Sequence, residues 1–302
     1  MSNQDFQLSF LGLEKPFDDP VSSRHAVLPV PFERTTSYGR GAAGGPAAIL
    51  EASQQVELYD EELDSEPYKS GICTLPTIVD QGQTAADYLD QLSSVCQDEL
   101  RSGRFLLCLG GEHTLTQACV AASAAVHGSI GVVQFDAHAD LRDSYDGDRF
   151  SHACVMRRVH DMAIPHIGVG IRSMSPEEAQ FVVAHQEPEI IWGRELEELT
   201  PSRFQARLQS LPEKVYLTFD VDFFDPSVVP ATGTPEPGGG SWWPSLALLR
   251  TLFEVKQVVA MDVVELAPIA GQAASDFTVA RLAYKCIAYA DAARYRRETS
   301  AG

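Results

Sequence analysis

Phe135-Asp136-Ala137-His138-Ala139-Asp140 ends an apolar run, Gly131-Val132-Val133-Gln134, and sets three ligand-type side chains at alternate positions. In an extended chain that spacing turns all three to one side. Two carboxylates and an imidazole gathered there repel one another and resist desolvation unless a cation joins them. The expectation is therefore a metal centre. Two further clusters belong with it, Gly110-Gly111-Glu112-His113 and Asp220-Val221-Asp222. His113, Asp136, His138, Asp140, Asp220 and Asp222 together hold four carboxylates and two neutral imidazoles, a formal charge of −4 that two divalent cations neutralise. Carboxylate and imidazole without thiolate suit Mn2+ and similar ions better than a structural zinc. Two such ions about 3.5–4 Å apart would lower the pKa of a shared water towards neutrality and make it a nucleophile. Each cluster alone has a plainer reading, His113 as a turn cap or Asp-x-Asp as a helix cap or a Mg2+ site. The three in this order, each after a strand-like run, favour the metal centre.

The elements that must position these residues can be read from the pattern of apolar runs. Strands are predicted at 25–30, 105–109, 129–135, 164–169, 189–192, 215–219 and 258–264. A further one at 72–79 is expected at an edge, because Pro76 lacks a ladder donor. Between them lie helical stretches at about 46–53, 85–100, 115–126, 151–159, 244–253 and 275–295. Two more start at Ser175-Pro176-Glu177-Glu178 and Thr200-Pro201, where a capping hydroxyl precedes proline. Apolar strands alternating with helices predict an α/β protein, a three-layer α/β/α sandwich with a mostly parallel central sheet. The expected organisation is an irregular arm at 1–24 and one domain at 25–302. Parallel sheets bind ligands beyond the carboxyl ends of their strands. His113, Asp136 to Asp140, Asp220 with Asp222, and Glu265 each follow a predicted strand, so four strands aim their chemistry at one edge. The glycine-rich stretch Ser37 to Pro46 matches neither dinucleotide nor P-loop spacing, and Pro46 reads as the first turn of a helix.

Composition narrows the function. The 302 residues are 44% hydrophobic and 22% charged, as in an ordinary globular chain. A net charge of −19 favours solubility and attracts cations. No basic stripe is present to neutralise phosphates, which disfavours nucleic acid as a partner. No run reaches the roughly 18–20 apolar residues that span a bilayer, and the N-terminus lacks a secretory pattern. The six cysteines form no Cys-x-x-Cys pair and lie mostly in apolar runs. Free thiols in a reduced, cytoplasmic compartment are expected. Cys154 reads as packing rather than as a nucleophile, and Trp242-Trp243 as core packing.

Gly110 to His113, Asp136 to Asp140 and Asp220-Val221-Asp222-Phe223-Phe224-Asp225-Pro226 resemble the three signature motifs of the ureohydrolase (arginase/agmatinase) family. Pro230 to Gly239, Pro29 to Pro46 and Glu265 extend the resemblance over about residues 25–290. It implies a dinuclear manganese hydrolase that cleaves a guanidinium group to urea and an amine. By motif match, His113, Asp136, Asp140 and Asp220 would hold one or other ion, and His138 and Asp222 complete the set. Asp136 and Asp220 would bridge, and Asp140 would also orient the nucleophile. Ser151-His152 resembles the family's mobile catalytic histidine, a natural proton carrier near neutral pH. Glu265 resembles the glutamate that pairs with the guanidinium, with Thr234 a further contact. A homotrimer or homohexamer is also implied.

The loop after Asp140 bears on the substrate. Arginases carry an asparagine two positions beyond the last aspartate, where this chain has Arg142. The run from Leu141 to Arg158 looks more like agmatinases. Agmatine is a dication, and Asp143, Asp146 and Asp148 suit a cationic tail. The expectation is agmatine cleaved to putrescine and urea. Other guanidino substrates (guanidinobutyrate, guanidinopropionate, arginine or guanidine) and a non-catalytic homologue are the alternatives, and Arg142 would serve a carboxylate-ended substrate.

Overall fold

In the computed structural model, which describes residues 8–186 and 188–300, the apolar runs become the strands of one sheet. They are β1 (His25–Val30), β2 (Ile72–Thr74), β3 (Phe105–Gly110), β4 (Gly131–Phe135), β5 (His166–Ile171), β6 (Glu189–Trp192), β7 (Lys214–Asp220) and β8 (Gln257–Val264). Their order across the sheet is β2-β1-β3-β8-β7-β4-β5-β6, and every neighbouring pair is parallel. Helices α1 (Gly45–Ser53), α2 (Ala85–Arg101), α3 (Thr116–His127), α4 (Val155–Asp161), α5 (Pro176–His185), α6 (Pro201–Leu208), α7 (Trp242–Val255) and α8 (Ala274–Ser300) supply the connections.

Alternation along the strands sorts the core into two halves. In β3, Phe105, Leu107 and Leu109 pack into the half built on α1, α6, α7 and α8. Leu106 and Cys108 face the half built on α2, α3 and α4. The result is the expected three-layer α/β/α sandwich, with a sheet buried on both faces and wholly parallel. Helix starts follow the sequence signals. Ser175 and Glu178 form a reciprocal capping box on α5, and the Thr200 hydroxyl accepts the Arg203 N–H on α6.

Three differences from the sequence reading have local causes. β2 stops at Thr74, five residues short of the expected end, because Pro76 cannot extend the ladder. Trp242 stacks on Phe224, but Trp243 is 61% exposed, so only one of the pair packs inward. In the N-terminal segment Phe10, Leu11 and Leu13 are buried, and the Phe10 and Leu11 amides donate to the Thr74 and Ser53 hydroxyls. All six cysteines are free and buried. Among the described residues no helix is long and apolar enough to cross a membrane.

Candidate metal centre

β3, β8, β7 and β4 are consecutive across the sheet although they are scattered along the chain. These are the four strands whose carboxyl ends carry the clusters. Phe135 lies in register with Phe219, and Phe219 with Val263. Asp136 and Asp220, one residue on, therefore leave adjacent strands at the same height. The crossover from β3 to β4 skips two strands, which opens a crevice at this edge.

The expected ligand residues converge there. His113 Nδ1 lies 3.0 Å from Asp140 Oδ2, 3.2 Å from Asp136 Oδ2 and 3.5 Å from Asp220 Oδ2. His138 Nδ1 lies 2.8 Å from Asp222 Oδ2 and 3.7 Å from Asp136 Oδ1. The donor atoms form two groups, His113-Asp136-Asp140 and Asp136-His138-Asp222, each with its atoms within 4.8 Å of one another. Asp136 belongs to both. Asp220 Oδ1 meanwhile accepts the Asp222 N–H at 2.9 Å, and Asp222 Oδ1 the Ala137 N–H at 3.0 Å.

The electrostatics fit a cation. Burial, then Asp136, raises the Asp140 carboxyl to about 7. Burial also raises Asp220, aided by Asp222, and Asp222, aided by Asp136. Against burial, which lowers it, Asp222 and Asp136 raise His138 to about 12. His113 likewise rises, burial opposing and Asp136 and Asp140 driving the shift. The carboxylates thus draw positive charge from protons on the imidazoles. Divalent ions supply the same charge with the imidazoles neutral. His113 Nδ1 is buried and has no hydrogen-bond partner among the described residues, although three carboxylate oxygens face it. That is the condition of a nitrogen whose lone pair is kept for a metal.

The opposite nitrogen is fixed from behind. His113 Nε2 lies 2.7 Å from the Thr218 hydroxyl, which donates to Asp262 Oδ1 at 2.7 Å. Asp262 Oδ2 accepts from the Thr116 and Tyr216 hydroxyls, each at 2.7 Å. Because Thr218 gives its proton to Asp262, it accepts from Nε2–H, and in the neutral imidazole Nδ1 keeps the lone pair.

Backbone packing explains the motif residues that offer no ligand. A Cβ on Gly111 would stand 2.2 Å from the Phe32 carbonyl oxygen, so only glycine lets the first motif lie against the segment after β1. Arg172 donates to the carbonyls of Asp222 (2.6 Å), Glu236 (2.8 Å), Gly170 (3.1 Å) and Pro237 (3.1 Å), tying the third motif to the loop that follows it. Asp140 and Glu265 adopt positive φ, 53° and 65°. Outside glycine such backbone concentrates at functional sites. Asp140 O accepts the Met156 and Arg157 amides at the start of α4, and Glu265 N–H donates to Gly111 O.

A cavity of about 320 Å³ opens over the centre. His113, His138, Asp140, Asp220, Asp222, His152, Thr234 and Glu265 line it, and Asp136, fully buried, lies 3.2 Å from the Nδ1 of His113. All the expected site residues are therefore brought together. Glu265 Oε1 accepts the His113 amide at 2.6 Å. Burial lowers His152 to about 4, with His113 and His138 adding to the shift. Burial raises the Cys154 thiol to about 12, which leaves no thiolate at neutral pH.

The acidic loop is the exception. None of Asp143, Asp146 and Asp148 lines the cavity. Asp143 is held by Arg158 at 2.8 Å and approached by Arg149 and Arg157. Asp148 Oδ1 caps the Phe150 amide. Of the three carboxylates expected to meet the substrate, Asp143 is instead neutralised by arginines, two of them on the following helix. Arg142 does line the cavity, but it lies 3.8 Å from Glu178 and over the Tyr145 ring at 5.1 Å. Thr35, Glu112, Thr218, Asp262 and Arg172 were missed. Two had a signal: Asp262 interrupts Val258 to Val264, and Thr218 an apolar β7, where a buried polar group demands partners.

Residues 23–289 match the arginase family. The chain is 41% identical over 270 residues to N(1)-aminopropylagmatine ureohydrolase of Synechocystis sp., covering 87% of this chain and 88% of that protein. It is 36% identical over 281 residues to agmatinase of Pyrococcus horikoshii, covering 91% and 95%. The crystal structure of agmatine ureohydrolase of Thermoplasma volcanium superposes with a TM-score of 0.81 at 28% identity, covering 91% of this chain and 92% of that one. With the fold, the strand-end clusters and these matches in agreement, the chain belongs to the arginase family, the ureohydrolases that its three motifs resemble.

Proposed function

We propose that this chain, a hydrolase of guanidino groups, acts on an amine with the agmatine skeleton and releases urea. The observation that carries the reading is the pair of ligand groups sharing Asp136 beneath a cavity that also holds Glu265 and His152. Two Mn2+ ions suit the donor set of oxygen and imidazole. His113, Asp136, Asp140 and Asp220 would hold one or other ion, and His138 and Asp222 would complete the set. When bound, the ions supply Lewis-acid polarisation and lower the pKa of a water.

The chain's own residues do the rest. Glu265 presents a carboxylate to the planar guanidinium, with Thr234 beside it. Asp140 orients the attacking oxygen. His152, neutral at pH 7 because it is buried, takes a proton from that oxygen and gives it to the departing amine. Tyr38, Tyr145 and Met174 add apolar surface to the cavity wall.

The free end of the substrate is an amine. Arg142 is already committed to Glu178 and Tyr145, which weakens the case for a carboxylate there. Between agmatine, expected from the loop sequence, and its N1-aminopropyl derivative, the 41% identity to the Synechocystis protein favours the derivative. The test is urea release by Mn2+-loaded protein from both amines, L-arginine and 4-guanidinobutyrate side by side. Preference for either amine supports the reading, and the ratio of the two kcat/KM values assigns the substrate. Preference for arginine or guanidinobutyrate would overturn it.

A further inference from the structure

One buried carboxylate of the first motif lies outside the ligand groups. Glu112 is adjacent to His113, is fully buried, and turns towards the loop after β1. Its Oε2 accepts the amides of Arg34 at 2.7 Å and Thr35 at 2.6 Å. Its Oε1 accepts the hydroxyls of Thr114 at 2.7 Å and Thr35 at 3.0 Å. Four donors complete the acceptor capacity of one carboxylate.

Thr35 is the only one of these donors that also reaches the cavity histidine. Its oxygen accepts the His152 amide at 3.0 Å and lies 3.1 Å from His152 Nδ1. A hydroxyl has one proton and two lone pairs. With the proton given to Glu112, both lone pairs face His152, and the contact with Nδ1 is a hydrogen bond only if Nδ1 is protonated. A neutral imidazole carries one N–H, so its lone pair is then on Nε2. Ser151 Oγ, 3.3 Å from Nδ1, could donate and favour the other tautomer, but it is the longer contact. The Tyr145 ring packs edge-on against the imidazole at 6.0 Å and limits its rotation.

We propose that Glu112 and Thr35 are positioning residues: Thr35, oriented by Glu112, holds His152 in the Nδ1–H tautomer and leaves Nε2 as the nitrogen that moves protons in the cavity. This rests on the reading of His152 as proton carrier. A carrier that takes a proton at one point of the reaction and returns it at another needs one nitrogen facing the substrate throughout. The same contact joins the loop after β1 to the turn that bears His152, which gives that loop a role besides leading into α1. Its glycine-rich part is tied down by Glu33, which accepts the Gly41 and Ala43 amides, so those donors are not free for a phosphate.

The test reads the tautomer directly. Protein labelled with 15N-histidine and loaded with diamagnetic Mg2+ is examined at neutral pH, and the His152 signals are assigned by their loss in His152→Asn. The wild type is expected to carry the proton on Nδ1. Thr35→Ser should keep that tautomer and near-normal turnover. Thr35→Val and Glu112→Gln should move the proton towards Nε2. Thr35→Val should also lower kcat about tenfold, roughly the worth of one hydrogen bond, with little change in KM. A wild-type proton on Nε2 would overturn the proposal, and this needs no variant to fold. So would an unchanged tautomer and kcat in Thr35→Val. Normal turnover by His152→Asn is a different failure, since it removes the proton-carrier role and leaves the measured tautomer standing.

Discussion

Asp262 is expected to govern metal affinity without touching a metal. It is completely buried in the middle of β8 and receives three hydroxyl protons, from Tyr216, Thr116 and Thr218. Burial raises its carboxyl to about 6, so it is ionised at pH 7. In Asp262→Asn the carbonyl must stay at the Oδ2 position, where two hydroxyls donate, and the NH2 takes the Oδ1 position facing Thr218. Thr218 then accepts from the amide and turns its own proton towards His113 Nε2. His113 either moves its proton to Nδ1, which blocks the ligand, or gives up the buried hydrogen bond. The lost bond is worth about 1–1.5 kcal/mol, close to tenfold in affinity. Partners placed behind a metal-binding histidine typically contribute about 10–100-fold. The assay is Mn2+ binding by chelator competition at pH 7, with far-UV circular dichroism and thermal unfolding of the metal-free protein as checks on the fold. Thr218→Val should weaken binding in the same range, and Thr218→Ser, which retains the hydroxyl, should bind like wild type. Folded Asp262→Asn with an affinity within twofold of wild type would refute the reasoning.

Other consequences are equally specific. Lys285 is buried against Asp60 at 3.0 Å, while nearby Glu61 and Glu62 have arginines of their own, so Lys285→Met leaves the buried Asp60 carboxylate without its cation. Urea denaturation should show a loss of about 3–5 kcal/mol, partly restored by adding Asp60→Asn; a loss under about 1 kcal/mol would contradict the burial argument. Burial lowers His166 to about 4, against 6.5 in the unfolded chain. The unfolded state therefore binds the proton first as pH falls, and stability complete above 6.5 is lost on the way down to 4. Between pH 7 and pH 5 the wild type should lose about 2 kcal/mol that His166→Gln does not, and equal slopes for the two proteins would exclude this origin. Arg172→Lys keeps the charge but not the planar fork that serves six carbonyls, and should lower metal affinity by detaching the third motif.

The convergence of the candidate ligand residues could be read from the sequence because each cluster ends an apolar run, and a strand end is where a parallel sheet exposes side chains. Strand order could not. β7 and β8 insert between β3 and β4, and no local signal tells a chain which of two equally apolar strands lies next to a third. That insertion makes Asp220 a neighbour of Asp136, with Glu265 one strand further on. The supporting residues were illegible for another reason. Thr35 and Glu112 lie in segments whose polarity needs no explanation in one dimension, and their meaning comes from a contact across 77 residues. The acidic loop misled because sequence displays its aspartates and hides both their distance from the cavity and the α4 arginines that hold Asp143.

The central claim is a two-ion centre on these six residues. Its most direct measurement is the number of Mn2+ ions retained per chain after equilibrium dialysis, for the wild type and for Asp136→Asn, whose carboxylate belongs to both ligand groups. Two ions per chain in the wild type, with both weakened by the single substitution, are predicted. One ion per chain, or two that Asp136→Asn leaves undisturbed, would contradict the shared centre.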